Sequence, residues 1–367
     1  MTVDAELTDE RAALQRAVRE LLADQGSESA LRAAIDGSGV NDSLWTRIVG
    51  MGVLELAAAG SRQEAGGSWL DLVVVFEELG HALAPAPALP AAVALAVLDR
   101  SDGPAAEWSR SIATGSRRVA LALTADDDLA PQASGLALDD GAGTVSGELA
   151  AVAEAATADA VLVVASSSDG AALCLVPLDA PAARVEPIES LDLTRPVAAV
   201  SLSAAAAVRV GDGAAAERAL QVARLLAAAE QTGTARRALE EAVSYAKVRH
   251  QFGNPIGSYQ AVKHACVDML MRVEGARCLV EAAALAMDSG KAEEVALHLP
   301  IAAAYAAEAA TFSAKKSLQV HGGIGFTWEH ISHLVLRRAE AAAARFGDIE
   351  ALWDHAASAL EAEAAAR

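Results

Sequence analysis

The chain has 367 residues, 53% of them apolar, and 49 acidic against 29 basic side chains give a formal charge of −20. That length can bury several cores and suits two or three domains. The acidic balance argues against a nucleic-acid groove or an anionic membrane surface as the main partner, although local donors can still hold an anionic ligand. Aromatics make up only 4%, and alanine, the best helix former, dominates many segments. Cys174, Cys266 and Cys278 are odd in number, far apart and without CxxC spacing, which reads as buried reduced thiols in the cytosol. The acidic start, Met1 to Glu6, lacks the basic and apolar runs of a signal peptide. The most apolar run, 82–98, is broken by Pro85, Pro87 and Pro90 and does not read as a spanning helix. A cytoplasmic protein without a membrane partner is the expectation.

Residues 1–115 read as a helical domain. Thr8 is a candidate N-cap ahead of a helix reaching Ala23. A short helix covers Leu44 to Met51. A longer one covers Trp69 to Ala84, with Val73, Phe76, Leu79 and Leu83 along one side. Residues 116–213 change character. Short runs at 119–121, 160–164, 172–176 and 197–202 are separated by turn signals such as Asp139-Asp140-Gly141 and Ser168-Asp169-Gly170. Short strands without long intervening helices predict an antiparallel barrel or sandwich.

Residues 214–367 return to helix. Leu225, Ala228, Thr232, Ala235, Leu239, Ala242 and Ala246 follow steps of three and four. So do Val262, Cys266, Met269, Val273, Ala276, Val280, Ala283 and Met287. These are seams of long helices in a bundle. A third helix is expected from Ala302 to Val320, and two more over 329–344 and 350–365. The fold class is therefore α+β with three domains: helical, β-barrel-like, and a four-helix bundle.

Two segments carry chemistry. Tyr245-Ala246-Lys247-Val248-Arg249-His250-Gln251-Phe252-Gly253 leads through a Gly/Pro turn to Tyr259-Gln260. Arginine at a helix end can present a fixed guanidinium to a phosphate; equally, the segment is an inter-helix turn with an extended Arg. Gln319-Val320-His321-Gly322-Gly323-Ile324-Gly325 exposes backbone N–H groups to a cofactor, or simply caps a helix. It follows a helix and not a strand, so a dinucleotide fingerprint of the Rossmann type fails.

In this order, after an α–β half, the two segments resemble the acyl-CoA dehydrogenase flavoprotein family, in the form of a divergent, short, actinobacterial-type member. The resemblance covers nearly the whole chain and is closest over 220–346; Gly66-Gly67 and Glu77-Glu78-Leu79-Gly80 resemble the family's first domain. It implies FAD as cofactor, an acyl-CoA or other acyl thioester as substrate, α,β-dehydrogenation as the reaction and a homo- or hetero-tetramer of family members as the assembly. It implies that Arg249, Phe252, Tyr259, Gln260, Gln319, Gly322 and Gly323 contact flavin, largely that of an adjacent subunit, and that Arg224 lies at the substrate.

The sequence also departs from that family. The middle domain lacks the Thr-Glu-Pro-x-Ala-Gly-Ser and Trp-Ile-Thr patterns that hold the flavin ring; the matching stretches are 123–128, where Thr124 is a remnant, and 145–149. The two positions where the family places its catalytic glutamate hold Phe346 and Ala223, and neither takes a proton. Glu230, Asp348 and Glu340 are the acidic substitutes within reach, each of which is otherwise solvated or paired; a buried Glu230 is costly unless paired. His321, His330 and His333 cluster in sequence, but no carboxylate spacing supports a metal. Three readings follow: an active dehydrogenase with a displaced base, a non-catalytic partner subunit that completes a paralogue's flavin site, or an interaction protein without flavin.

Overall fold

The structure is a computed structural model that describes residues 9–99, 101–124, 131 and 135–366. The Thr8 cap lies outside them. Among the described residues seven helices come first: α1 (Asp9–Gln25), α2 (Glu28–Asp36), α3 (Asp42–Gly50), α4 (Ala59–Glu64), α5 (Trp69–His81), α6 (Ala88–Leu98) and α7 (Gly103–Ala113). Ser27 caps α2 by accepting from the Ala30 N–H, and Asn41 caps α3 by accepting from the Leu44 N–H. At the start of α5 the Ser68 N–H donates to Asp71 at 2.6 Å, one arm of a capping box. The apolar side of α5 buries Val73, Phe76 and Leu79, with Leu83 just beyond it.

Eight strands follow: β1 (Val119–Ala122), β2 (Ala137–Asp139), β3 (Thr144–Ala153), β4 (Ala160–Ser167), β5 (Gly170–Pro177), β6 (Ala183–Ile188), β7 (Val197–Ala206) and β8 (Val208–Asp212). They form one sheet in the order β6-β7-β3-β2-β4-β5-β8, with β1 also on β4. The sheet is not purely antiparallel, as the strand pattern had suggested: β1 and β2 both run parallel to β4. The β1–β4 pairing joins residues about forty apart (Val119 to Ala160), and strand composition does not encode direction across such a gap.

The last third is α8 (Gly213–Val248), a small hairpin of β9 (His250–Gln251) and β10 (Asn254–Pro255), α9 (Gln260–Ser289), α10 (Ala292–His321), α11 (Ser332–Ala343) and α12 (Ile349–Ala366). Helices α8 to α11 make the bundle, and α12 packs on α10. The expected seam of α8 is buried except for half-buried Leu239; on α9, Val262 and Cys266 at the exposed end are only half-buried. Helix α10 begins ten residues before the expected Ala302 and carries Pro300 inside it. A proline there removes one backbone bond, and packing on α8 and α9 holds the helix across the gap.

One described helical stretch, Ala292–Phe326, is long and apolar enough to cross a membrane, a stronger candidate than the 82–98 run. It forms the middle of the bundle, where Ala302, Ala306, Ala310 and Ala314 are fully buried. Its apolar composition is that of a core helix.

Candidate functional site

The two base positions lie in the bundle core beneath the sheet. Ala223 on α8 is fully buried and Phe346, after α11, is nearly so. The Arg224 Nε–H donates to the Phe346 carbonyl at 2.8 Å. Ala227, Ala228, Gln231, Ala303 and Leu352 surround this contact, leaving a small pocket of about 20 Å³. Burial pulls the Arg224 guanidinium down to about 10, with Glu217 opposing the shift; it is still a cation at neutral pH. One face of Arg224 is thus committed to the backbone of the segment that carries Phe346.

The acidic substitutes are each engaged elsewhere. Glu230 forms a close ion pair with Arg195. Arg195 also lies 3.3 Å from Glu154, which in turn closely pairs Arg345. Arg338 stands 3.4 Å from Asp192 in the same region. This buried network of three carboxylates and three guanidiniums welds the end of β3 and the 189–196 loop to α8 and α11. Burial raises the Glu154 carboxyl, but Arg345 and Arg195 outweigh it and hold it below the usual range. Asp348 caps α12, accepting from the Glu350 N–H at 2.9 Å and the Ala351 N–H at 3.2 Å. Glu340 pairs with Lys315 at 2.8 Å.

Between the sheet and the bundle lies a cleft of about 550 Å³, walled by Leu121, Thr124, Glu148, Leu149, Val152, Arg345 and Phe346. Thr124 and Leu149 come from the two stretches matched to the family's flavin-ring patterns, so the structure does bring them together. Residues 125–128 of the first stretch lie outside the described residues. The cleft wall is mostly aliphatic, and Arg345 is already occupied by Glu154.

The other predicted residues gather at the far tip of the bundle. Arg249 caps α8 with its N–H on the Tyr245 carbonyl, and its own carbonyl accepts from Ile256 at 2.7 Å. In the β9–β10 turn, Phe252 has φ +52°, Gly253 has φ +83°, and the Phe252 side chain is 92% exposed. A bulky residue held in the left-handed region costs of order 1 kcal/mol or more, and such strain clusters at binding sites. The Tyr259 hydroxyl donates to the Gln251 carbonyl at 2.9 Å, and its ring meets Phe252 edge-on at 6.5 Å. Phe252, Tyr259 and Gln319 line one pocket of about 430 Å³, together with Lys316. Gln260 opens α9 beside Tyr259, while Gly322 and Gly323 continue exposed from the end of α10. A Cβ built at Gly322 or Gly323 meets nothing within 4 Å. Lys316 belongs to neither motif, although its place three residues before Gln319 on the same helix face is a usable signal.

Comparison with known proteins places the chain. Residues 211–361 match the model of the acyl-CoA dehydrogenase C-terminal domain. Acyl-CoA dehydrogenase FadE34 of Mycobacterium tuberculosis is 35% identical over 91% of this chain and 46% of its own length, so the chain spans about half of that relative. Acyl-CoA dehydrogenase IpdE2 of the same organism is 32% identical over 91% of this chain and 92% of its own length. The Tcur3481-Tcur3483 steroid ACAD superposes with a TM-score of 0.88 at 30% identity, covering 98% of this chain and 99% of that one. The ChsE4-ChsE5 complex from Mycobacterium tuberculosis gives 0.87 at 27%, covering 98% and 99%. The chain belongs to the acyl-CoA dehydrogenase family.

Proposed function

We propose that this chain is a subunit of a heteromeric acyl-CoA dehydrogenase that oxidises the α,β bond of an acyl thioester, with a paralogous chain supplying the base and the flavin-ring contacts. One observation carries the reading. Beside Arg224 and the Phe346 carbonyl this chain leaves only about 20 Å³, and no carboxylate stands at either base position, while the tip of the bundle is open and displays Phe252. A general base must lie within hydrogen-bond reach of the proton it removes, and the acids nearest these positions are held in ion pairs or a helix cap. Two of the structural relatives are named as pairs of chains, one as a complex, which supports a two-chain assembly.

The donor set supports FAD at the tip. Arg249 and Lys316 offer cations, Gln319 an amide, Gly323 an exposed backbone and Phe252 an apolar face. Charge and N–H donors are what a pyrophosphate needs, and Phe252 suits an aromatic ring. On this reading Arg249, Phe252, Tyr259, Gln260, Gln319, Gly322 and Gly323 hold the edge of a cofactor seated mainly in the paralogue. FAD supplies the hydride acceptor; this chain orients it and keeps water from its edge. Arg224 holds the Phe346 segment shut, so its expected contact with substrate falls to the paralogue's site. The same reading takes 1–115, 116–213 and 214–367 as three folding units and assigns the protein to the cytoplasm.

The test is purification alone and after co-expression with a family paralogue from the same genome. A flavinated hetero-tetramer that dehydrogenates acyl-CoA is the expected result, with this chain alone failing to bleach on acyl-CoA. Arg249→Ala should loosen FAD in the assembly by about 10–100-fold, the loss of a charged hydrogen bond. A yellow, acyl-CoA-bleaching protein obtained from this chain by itself sinks the proposal.

A further inference from the structure

Behind the glycine turn of the bundle tip, three residues distant in sequence converge. Glu241 comes from α8, His321 is the last residue of α10, and His330 lies just before α11. One ligand atom from each lies within 4.8 Å of the other two. No carboxylate stands in register with these histidines in the sequence; Glu241 lies about eighty residues upstream, and only the bundle brings it there.

Each of the three is positioned from behind. The His321 Nδ1–H donates to the Ser317 carbonyl at 2.7 Å, leaving Nε2 as a lone-pair acceptor. That Nε2 is buried without any hydrogen-bond partner among the described residues, and His321 is 3% exposed. A buried polar atom left unpaired is costly, so this one asks for an occupant. The His330 Nδ1 lies 2.8 Å from the Ser332 hydroxyl, which can accept its proton. The Ser332 N–H also approaches that nitrogen at 3.2 Å and favours the opposite tautomer; a cation on Nε2 selects the first. Glu241 uses one oxygen to accept from Arg237 at 2.7 Å and turns the other towards His330, 3.8 Å away. The Tyr245 ring covers both imidazoles, with centroids 4.6 Å from His321 and 6.4 Å from His330.

We infer that Glu241, His321 and His330 form a binding site for a divalent transition-metal ion of the zinc type. Two imidazoles and one carboxylate, with a fourth position left to water, make up a recognised ligand set for such ions. An outer shell of a carbonyl, a hydroxyl and a guanidinium is the arrangement that orients ligating groups. Tetrahedral coordination at about 2.0–2.2 Å needs the three side chains to draw together by small rotations. His321 directly precedes Gly322, and His330 follows the turn, so the ion clamps both ends of the Gly322–Phe326 segment to α8. Arg237 neutralises part of the Glu241 charge. His333 lies on the same α11 start, but it is outside the ligand group and packs on Trp328.

The experiment uses the full chain, prepared without a polyhistidine tag and stripped with chelator, both alone and in complex with any co-purifying paralogue. It is titrated with Co²⁺ and then Zn²⁺. One Co²⁺ per chain with the visible bands of four- or five-coordinate cobalt is expected, displaced by one Zn²⁺, and excess Zn²⁺ should raise Tm. His321→Gln and His330→Asn should each abolish the one-equivalent uptake, and His333→Ala should leave it intact. His330 is partly exposed, so its variant keeps the test alive if His321→Gln fails to fold. Absence of stoichiometric uptake by the folded parent, or uptake that survives His330→Asn, overturns the site.

Discussion

Glu154→Ala is expected to destabilise the chain by about 3–5 kcal/mol, read as a fall in the urea midpoint, because it removes one partner from a buried charge network. Glu154 is 3% exposed and sits between Arg345 and Arg195. Its loss leaves Arg345 without that carboxylate, while Arg195 retains Glu230. The damage should therefore fall mainly on the docking of the sheet to α11. Two controls separate charge from backbone. Glu154 has φ +64°, which alanine does not relieve and glycine does, so Glu154→Gly should be about 1 kcal/mol less damaging. The double variant with Arg345→Ala should cost less than the sum of the single changes, since the orphaned charge goes with its partner. A shift within about 0.5 kcal/mol for Glu154→Ala, the range of ordinary surface changes, would show that the network contributes nothing net.

The same residue gives a pH dependence. The native Glu154 carboxyl is held below its ordinary value of 4.5. Its contribution is therefore fully present above that value and is lost as the pH falls towards the depressed native one. The acid limb of the stability profile should flatten in Glu154→Ala, and the neutral and alkaline limbs should keep their shape.

The sequence carried the helix–sheet–helix order, the seams of α8 and α9, and both ends of the bundle tip, because each rests on local periodicity or on a turn with its own composition. Arg249 does cap a helix, and Gly322 does end one. What it left open depends on contacts across long stretches of chain. Glu230 could be read as a spare base until Arg195, 35 residues upstream, was found beside it. That the Arg224 Nε–H donates to the Phe346 carbonyl, 122 residues downstream, has no local signature either. Glu241 had no visible connection to His321. The helix expected from Ala302 starts at Ala292 and carries Pro300 inside it, since tertiary packing outweighs a single missing hydrogen bond. The parallel pairing of β1 with β4 had no local signature at all.

Gly233→Ala and Gly80→Ala should each cost about 3 kcal/mol or more, at or beyond the upper end of ordinary overpacking. A Cβ built on Gly233 lies 1.9 Å from the Glu77 carbonyl oxygen, and one on Gly80 lies 1.9 Å from the Glu230 carbonyl oxygen. Helices α5 and α8 therefore cross backbone against backbone, and the Thr234 hydroxyl bridges the Gly80 and Glu230 carbonyls at 3.3 and 3.0 Å. The obstructing atoms are main chain, so no side-chain rotation relieves the clash; the helices must part. Parting them pulls on the ion pairs that flank the crossing, Arg236 to Glu77 at 3.2 Å and to Glu78 at 2.9 Å. It also moves Glu230 away from Arg195, so the crossing and the sheet-docking network should weaken together. The double variant should cost less than the sum of the two, because one separation accommodates both methyl groups. Gly323→Ala is the contrast, since its Cβ meets nothing within 4 Å. It should leave the denaturation midpoint within about 0.5 kcal/mol and alter only what the bundle tip holds. Equal midpoints for Gly233→Ala and Gly323→Ala would mean that α5 and α8 do not meet this closely.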